Sequence, residues 1–256
     1  MAEVVYSSTN DSFLQLIKNS GTATDAVGDA TDSATSFSNT QTDNTSGVQN
    51  RTFAVRGSAN SSFRINRSFF EFDLSGFSGT ATSADLKVFS DSLGGGSPEN
   101  TVYAVEATAL AGNVADFGNV FSSGTTVGTL FGSVAISTTA QYHSITGNSD
   151  LLTAINSAVG SGTLTIGLMG YYDYRIAAGL STSWPSIGSL DYTRIHIYYS
   201  DATAGGGTGA DPALEIEGIS VSSGGYGNDV MGVSSANIAS VKGVATADIA
   251  NVIGVD

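Results

Sequence analysis

The stretch Asn66-Arg-Ser-Phe-Phe-Glu-Phe-Asp-Leu-Ser-Gly76, followed by Ala84-Asp-Leu-Lys-Val-Phe89, decides how this chain folds. Phe70, Phe72 and Leu74 alternate with Glu71, Asp73 and Ser75, the period of a strand with one face in a core. Gly76 to Thr80 interrupts the pattern with turn residues. A second alternation then sets Leu86 and Val88 on one face and Asp85 and Lys87 on the other. Two amphipathic strands joined by a short polar connection cannot bury their apolar faces alone, so a second sheet must cover them.

Working outward, Glu3 to Tyr6 reads as a strand and Phe13 to Ile17 as an apolar patch. Residues 19–50 are rich in Gly, Ser, Thr and Asp, with only Val27, Phe37 and Val48 as anchors, the profile of a long end loop. Further strands are expected at Thr52–Val55, Ser62–Ile65, Val102–Val105, Val127–Ile136, Gln141–Ile145, Thr163–Leu168, Arg194–Tyr199 and Ala213–Ile219. Residues 107–126 read as loop with a turn of helix at Asp116-Phe117. One clear helix is expected, Ser149 to Val159. Ser149 would cap it, Asp150 favours its positive end, and Gly160 would stop it.

Composition agrees with many short strands and tight turns: 32 Gly, 3 Pro, and Phe and Tyr at 12 and 10. The net charge of −14 arises from few bases, 9 Lys and Arg in all. Such a chain offers no broad basic face to nucleic acid and is repelled by anionic membranes, so neither is expected as a partner. No Cys is present, which excludes disulfides and thiolate metal sites. No apolar run approaches a membrane span, and the N-terminal segment has no basic and apolar leader pattern.

From Ser220 the texture changes. Residues 220–229 read as a Gly/Ser linker. Residues 230–256 carry a repeat of 11 residues: Val230-Met-Gly-Val-Ser234, Val241-Lys-Gly-Val-Ala245 and Val252-Ile-Gly-Val-Asp256. Ser235 and Thr246 are good N-caps, and Gly243 and Gly254 sit where a left-handed residue would end a helix. A helical-repeat tail is therefore expected. Its apolar residues Val230, Ile238, Val241, Val244, Ile249, Val252 and Val255 would need burial against another copy or a partner, because such short helices are unstable alone.

The block Ile65-Asn-Arg-Ser-Phe-Phe-Glu-Phe-Asp-Leu-Ser75, with Ser83-Ala-Asp-Leu-Lys-Val-Phe89, resembles the opening motif of extracellular jelly-roll modules named for their DNRLRE signature. A second set of blocks is similar to a variant found in bacteriophage sequences: Ile166 to Tyr174, Trp184, Ile197-Tyr-Tyr-Ser-Asp201 and Asp211 to Ile216. The resemblance spans residues 3–217, and the repeat resembles tandem tails at the C-termini of phage structural proteins. It implies an all-β jelly-roll β-sandwich with one short helix over residues 1–219, followed by the linker and the helical tail.

Chemistry is sparse. His143 and His196, the only histidines, lie on expected strands, and no Gly-x-Ser-x-Gly elbow accompanies them, so an enzyme is not expected. Asp25, Asp29, Asp32 and Asp43 lie in loops without calcium-loop spacing. A loop Ca²⁺ would suit this fold class, with no ligand assignable, and no other cofactor is expected. Tyr171, Tyr172, Tyr174 and Trp184 are the candidates for a glycan-binding surface, since aromatic faces stack on sugar rings. The weightier alternative is that Tyr172 and Trp184 cover the core while the others edge a loop. Arg67 and Arg175 are expected to pair with acids across strands.

These observations lead to a non-enzymatic virion component: a capsid decoration or head-fibre protein, or a tail-fibre module. It would work by self-association as a homo-oligomer and by docking on other virion proteins. The alternatives are a secreted carbohydrate-binding module or adhesin recognising cell-surface glycan, and an extracellular filament subunit. The expected location is the virion or an extracellular surface.

Overall fold

The computed structural model describes residues 2–8, 11–18, 27–38, 51–56, 63–94, 100–137, 141–181, 194–197, 211–222, 240–241 and 244–245. The strands in chain order are β1 (Glu3–Tyr6), β2 (Ser12–Lys18), β3 (Ser36–Ser38), β4 (Arg51–Arg56), β5 (Phe63–Asp73) and β6 (Phe77–Gly94). They continue as β7 (Thr101–Glu106), β8 (Phe121–Ser123), β9 (Thr126–Val127), β10 (Leu130–Ala135), β11 (Gln141–Thr146) and β12 (Thr163–Gly170). The last are β13 (Arg194–Ile197), β14 (Ala213–Val221), β15 (Ser240–Val241) and β16 (Val244–Ala245). Every pairing is antiparallel among the described residues.

Two layers result. β14 lies between β1 and β6, and β6 also pairs with β11 and β13. In the other layer β2, β5, β12, β7 and β10 run side by side, with β3 on the edge of β2. β4 pairs with both β5 and β13, so one hydrogen-bonded path runs through both layers. The alternation that decided the fold holds: Phe70, Phe72, Leu86 and Val88 are fully buried between the layers, with Leu164, Ile166, Leu214 and Ile216.

The opposite face of β5 departs from expectation. Ile65, Arg67, Phe69 and Glu71 are buried too. A second core lies on that face: Leu14, Leu16, Phe69, Val105 and Met169 are covered by Val27, Phe117, Phe121 and Ile176. The central strand β12 is accordingly buried on both faces from Leu164 to Gly170, as strands between two covering layers are. The anchors Val27 and Phe37 of the long N-terminal stretch belong to this cover.

Helices are few, but more than the one expected. α1 (Ser149–Ala158) presents Leu151, Ile155 and Ala158 to the first core. Its cap is Asn148 rather than Ser149: the Asn148 side-chain oxygen accepts from the backbone of Asp150 and Leu151, each at 3.0 Å. α2 (Tyr171–Ala177) follows β12 without a break, in a stretch whose tyrosines gave no helical signal. A 3-10 helix at Val114–Val120 occupies the expected turn at Asp116.

The sheets are also stitched at their edges. Between β1 and β2, the Ser7 backbone donates to Pro212 O at 2.9 Å and the Ser8 backbone to Glu71 O at 2.7 Å, tying one layer to the other. Asp11 then accepts from the Glu71 backbone at 2.8 Å, closing the gap beyond β2. Where β14 shifts register between Glu217 and Ile219, Gly218 takes φ 90° and a Cβ there would meet Thr80 O at 2.2 Å. Only glycine fits that bulge.

In the tail, β15 and β16 pair with Ser240 opposite Ala245 and Val241 opposite Val244. Strand pairing thus replaces the expected helix at Ser240 and Val241, while Val244 and Ala245 lie in the expected break between two helices. A two-residue connection ending in Gly is a hairpin signal, and it competes with the reading of Gly243 as a helix stop. Val230, Ile238, Ile249, Val252 and Val255 lie outside the described residues.

Candidate functional site

α2 grows from the last residue of β12, and its short length sends successive side chains to different tasks. Asp173, Tyr174 and Ile176 turn inward, while Tyr171 and Tyr172 stay half-buried. Asp173 meets Arg67, which stands on the outer face of β5. The Arg67 Nε and Nη2 donate to the two carboxylate oxygens at 2.8 and 2.7 Å, and neither side chain is exposed. Nη1 donates to Phe117 O and Nη2 also to Val27 O, both at 2.8 Å. The guanidinium lies 4.1 Å from the Phe117 ring centroid and 5.1 Å from that of Phe121. A buried charge is tolerated only when paired and bonded in this way. Arg67 therefore pins α2, the 3-10 helix and the Val27 segment onto one strand.

This clamp presents a tyrosine cluster. Tyr103 of β7 stacks on Tyr174, with ring centroids 4.2 Å apart and planes 15° off parallel. Tyr171 lies 6.4 Å from Tyr103 and meets Tyr172 edge-on at 5.1 Å. Arg175 stands 5.2 Å over the Tyr171 ring and donates to Leu180 O at 3.2 Å, a ring and backbone partner in place of the expected acid. Burial, followed by the neighbouring Tyr171 phenol, raises the Tyr103 pKa above its ordinary value. Burial also raises that of Tyr174, with Tyr103 adding to it. The cluster thus joins three of the four expected aromatic residues, plus Tyr103. The stack occupies one face each of Tyr103 and Tyr174, and Arg175 covers one face of Tyr171. Trp184 lies outside the described residues.

At the opposite end of β7 and β12, a groove of about 470 Å³ separates α1 from the sheet. Glu106 and Asp150 stand on its rim, with the hydroxyls of Thr129, Thr153 and Ser157. Its floor is apolar: Phe131, Ala154, Ala158 and Leu164. Among the described residues no Lys or Arg lines it.

Of the remaining candidates, His143 is buried on β11, opposite Val88, and the side chain of His196 lies outside the description. Among the described residues no three His, Asp or Glu side chains gather as a metal site. Asp29 and Asp32 bond into their own turn, Asp29 accepting from Thr31 and Asp32 from the Asp29 backbone. Among the described residues no helix is long and apolar enough to cross a membrane.

Sequence reasoning missed Tyr103 and the groove. A lone Tyr at a half-buried strand position carries no signal of its own. The groove is assembled from Thr, Ser and Ala residues that read as helix surface and strand ends. Comparison with known protein families and with characterised proteins finds no match to this chain.

Proposed function

We propose that this protein is a non-enzymatic structural module of a bacteriophage particle, a jelly-roll sandwich displayed outward as a capsid decoration, head-fibre or tail-fibre component. It assembles through residues 230–256, which dock on another copy or on a neighbouring virion protein. The observation that carries this reading is the use made of the buried charges. Asp173 holds Arg67. Asp11 holds the Glu71 backbone. Asp116 accepts from the backbones of Ala111, Gly112 and Asn113. Each is committed to fixing the chain's shape, as a rigid display platform requires. Mass spectrometry of purified particles from a phage carrying the gene tests the proposal. A fixed stoichiometric copy number supports it, and absence from the particle rejects it.

A second reading, a carbohydrate-binding module or adhesin, draws on the convergence of Tyr171 and Tyr172 beside Tyr103. Half-buried aromatic rings with polar tips suit sugar recognition. A glycan array tests it: binding lost in Tyr171→Ala supports a glycan edge, and silence across the array leaves these rings as cover for the second core.

A further inference from the structure

We infer that the open edge of β1 receives a strand from the tail of a second copy, supplied by the β15–β16 hairpin. The inference rests on the proposed assembly through residues 230–256 and names the surface on which they dock. β1 ends the hydrogen-bonded path of its layer. The phase of its pairing decides which backbone groups are spent. The Ser7 backbone donates to Pro212 O at 2.9 Å, continuing the register that sets Tyr6 opposite Ala213. Hydrogen-bonded positions alternate along an antiparallel ladder, so Glu3, Val5 and Ser7 bond toward β14. The N–H and C=O of Val4 and Tyr6 therefore point away from β14, and among the described residues no other strand pairs with β1.

This edge lacks the usual protections of an end strand. β1 contains no Pro and no Lys, and its register runs without a shift. The side chains of Val4 and Tyr6, on the outer face, are 46% and 47% exposed. Elsewhere the fold does cover an end strand: on β10, Asn148 donates to Leu130 O and Phe131 O. Unspent donors and acceptors beside two exposed apolar side chains are a template for strand addition, in which the main chain gives affinity and the side chains give fit.

The tail supplies the complementary half. β15 and β16 pair with each other as a sheet of their own, separate from the sandwich. With two residues in each strand, a hairpin needs a third strand to persist in water. Val241 and Val244 stand directly opposite and so share one face, which continues the stripe of Val4 and Tyr6 when the hairpin joins β1. Charge agrees with this occupant. Glu3, Glu215 and Glu217 lie on β1 and β14, and Lys87 is already paired with Glu215 at 3.0 Å. Residues 230–247 carry Lys242 and no acid, so they approach this edge without repulsion. A second copy is the source, because within one chain the hairpin pairs with itself and leaves Val4 and Tyr6 exposed.

The test keeps the full chain and changes one edge residue. Pro is tolerated on an edge strand where the N–H faces outward, so Val4→Pro removes an edge donor and spares the bonds of Glu3, Val5 and Ser7 to β14. Light scattering coupled to size exclusion should find this variant monomeric, with the circular dichroism and urea midpoint of the parent. A second measurement uses the absence of Cys from the chain. Mixing the Val4→Cys chain with Val241→Cys or Val244→Cys chains under mild oxidation should give a disulfide-linked pair with one member of each kind, because neighbouring strands bring Cα atoms to about 5 Å. A Val4→Pro variant that keeps the parent's oligomeric state, or the absence of any mixed disulfide, would overturn the inference. Val4→Cys chains that link to one another in preference would make a second β1 the occupant and overturn it too. Should Val4→Pro change the circular dichroism, the disulfide result decides. Association lost on deleting residues 228–256 but kept in Val4→Pro sinks this inference alone, whereas association that survives the deletion rejects the assembly proposal itself.

Discussion

Arg67 and Asp173, 106 residues apart in the chain, close a doubly hydrogen-bonded ion pair with no exposure on either side. Removing one partner leaves the other as an uncompensated buried charge. Asp173→Asn or Arg67→Met should therefore cost about 3–5 kcal/mol in urea unfolding. The Arg67→Met/Asp173→Leu pair should cost less than either single change. Near-ultraviolet circular dichroism should also change in the single variants, because the clamp orients the stacked Tyr103 and Tyr174.

Phe69 and Phe70 point to opposite faces of β5, one into each core. If both faces are buried, Phe69→Ala and Phe70→Ala should each lower stability by about 3–5 kcal/mol. A sandwich with a single core would lose stability only with Phe70. The urea midpoints of the two variants decide the matter.

That pair also marks where the sequence stops being legible. The alternation of Phe70 and Phe72 with Glu71 and Asp73 located β5 and the first core. Most other strand positions followed from the same period and from Gly-rich breaks, but β3 and β8 lie in stretches read as loop and β2 in one read only as an apolar patch. The second core was hidden because its face of β5 carries Arg67 and Glu71, residue types that read as solvent-facing. Their burial depends on Asp173 and on the Leu110 backbone, which donates to Glu71, and both contacts form only when distant segments meet. α2 was hidden for a related reason: Tyr171 to Tyr174 has weak helix propensity, and packing on the second core and the pull of Arg67 on Asp173 hold it. Of the candidate site, Tyr171, Tyr172 and Tyr174 were legible as an aromatic run, while Tyr103 and the groove exist only in three dimensions.

Asn148 serves the start of α1 twice. Its oxygen caps the helix, and its Nδ2 donates to Leu130 O at 2.6 Å, fastening the helix to β10. Asn148→Ala should cost about 1–2 kcal/mol in thermal or urea unfolding. Ser149→Ala, at the position the sequence alone would have chosen as the cap, should cost little.

Tyr142 donates to Asp211 O at 2.9 Å. Burial first, then the Asp211 and Tyr6 charges, push its pKa from the ordinary 10.0 up to about 12. The neutral phenol is the form the fold prefers. Its stabilising contribution is thus complete below pH 10 and is lost as pH rises toward about 12. Alkaline titration followed by phenolate absorbance should show a late-ionising tyrosine that disappears in Tyr142→Phe, and that variant should lose less stability across this window than the parent.

The central claim is that residues 230–256 assemble copies of a sandwich that folds without them, and deletion of residues 228–256 tests it most directly. Light scattering coupled to size exclusion should find the full chain as an oligomer and the shortened chain as a monomer, with the same strand-rich circular dichroism. A shortened chain that keeps the full chain's oligomeric state would contradict the account.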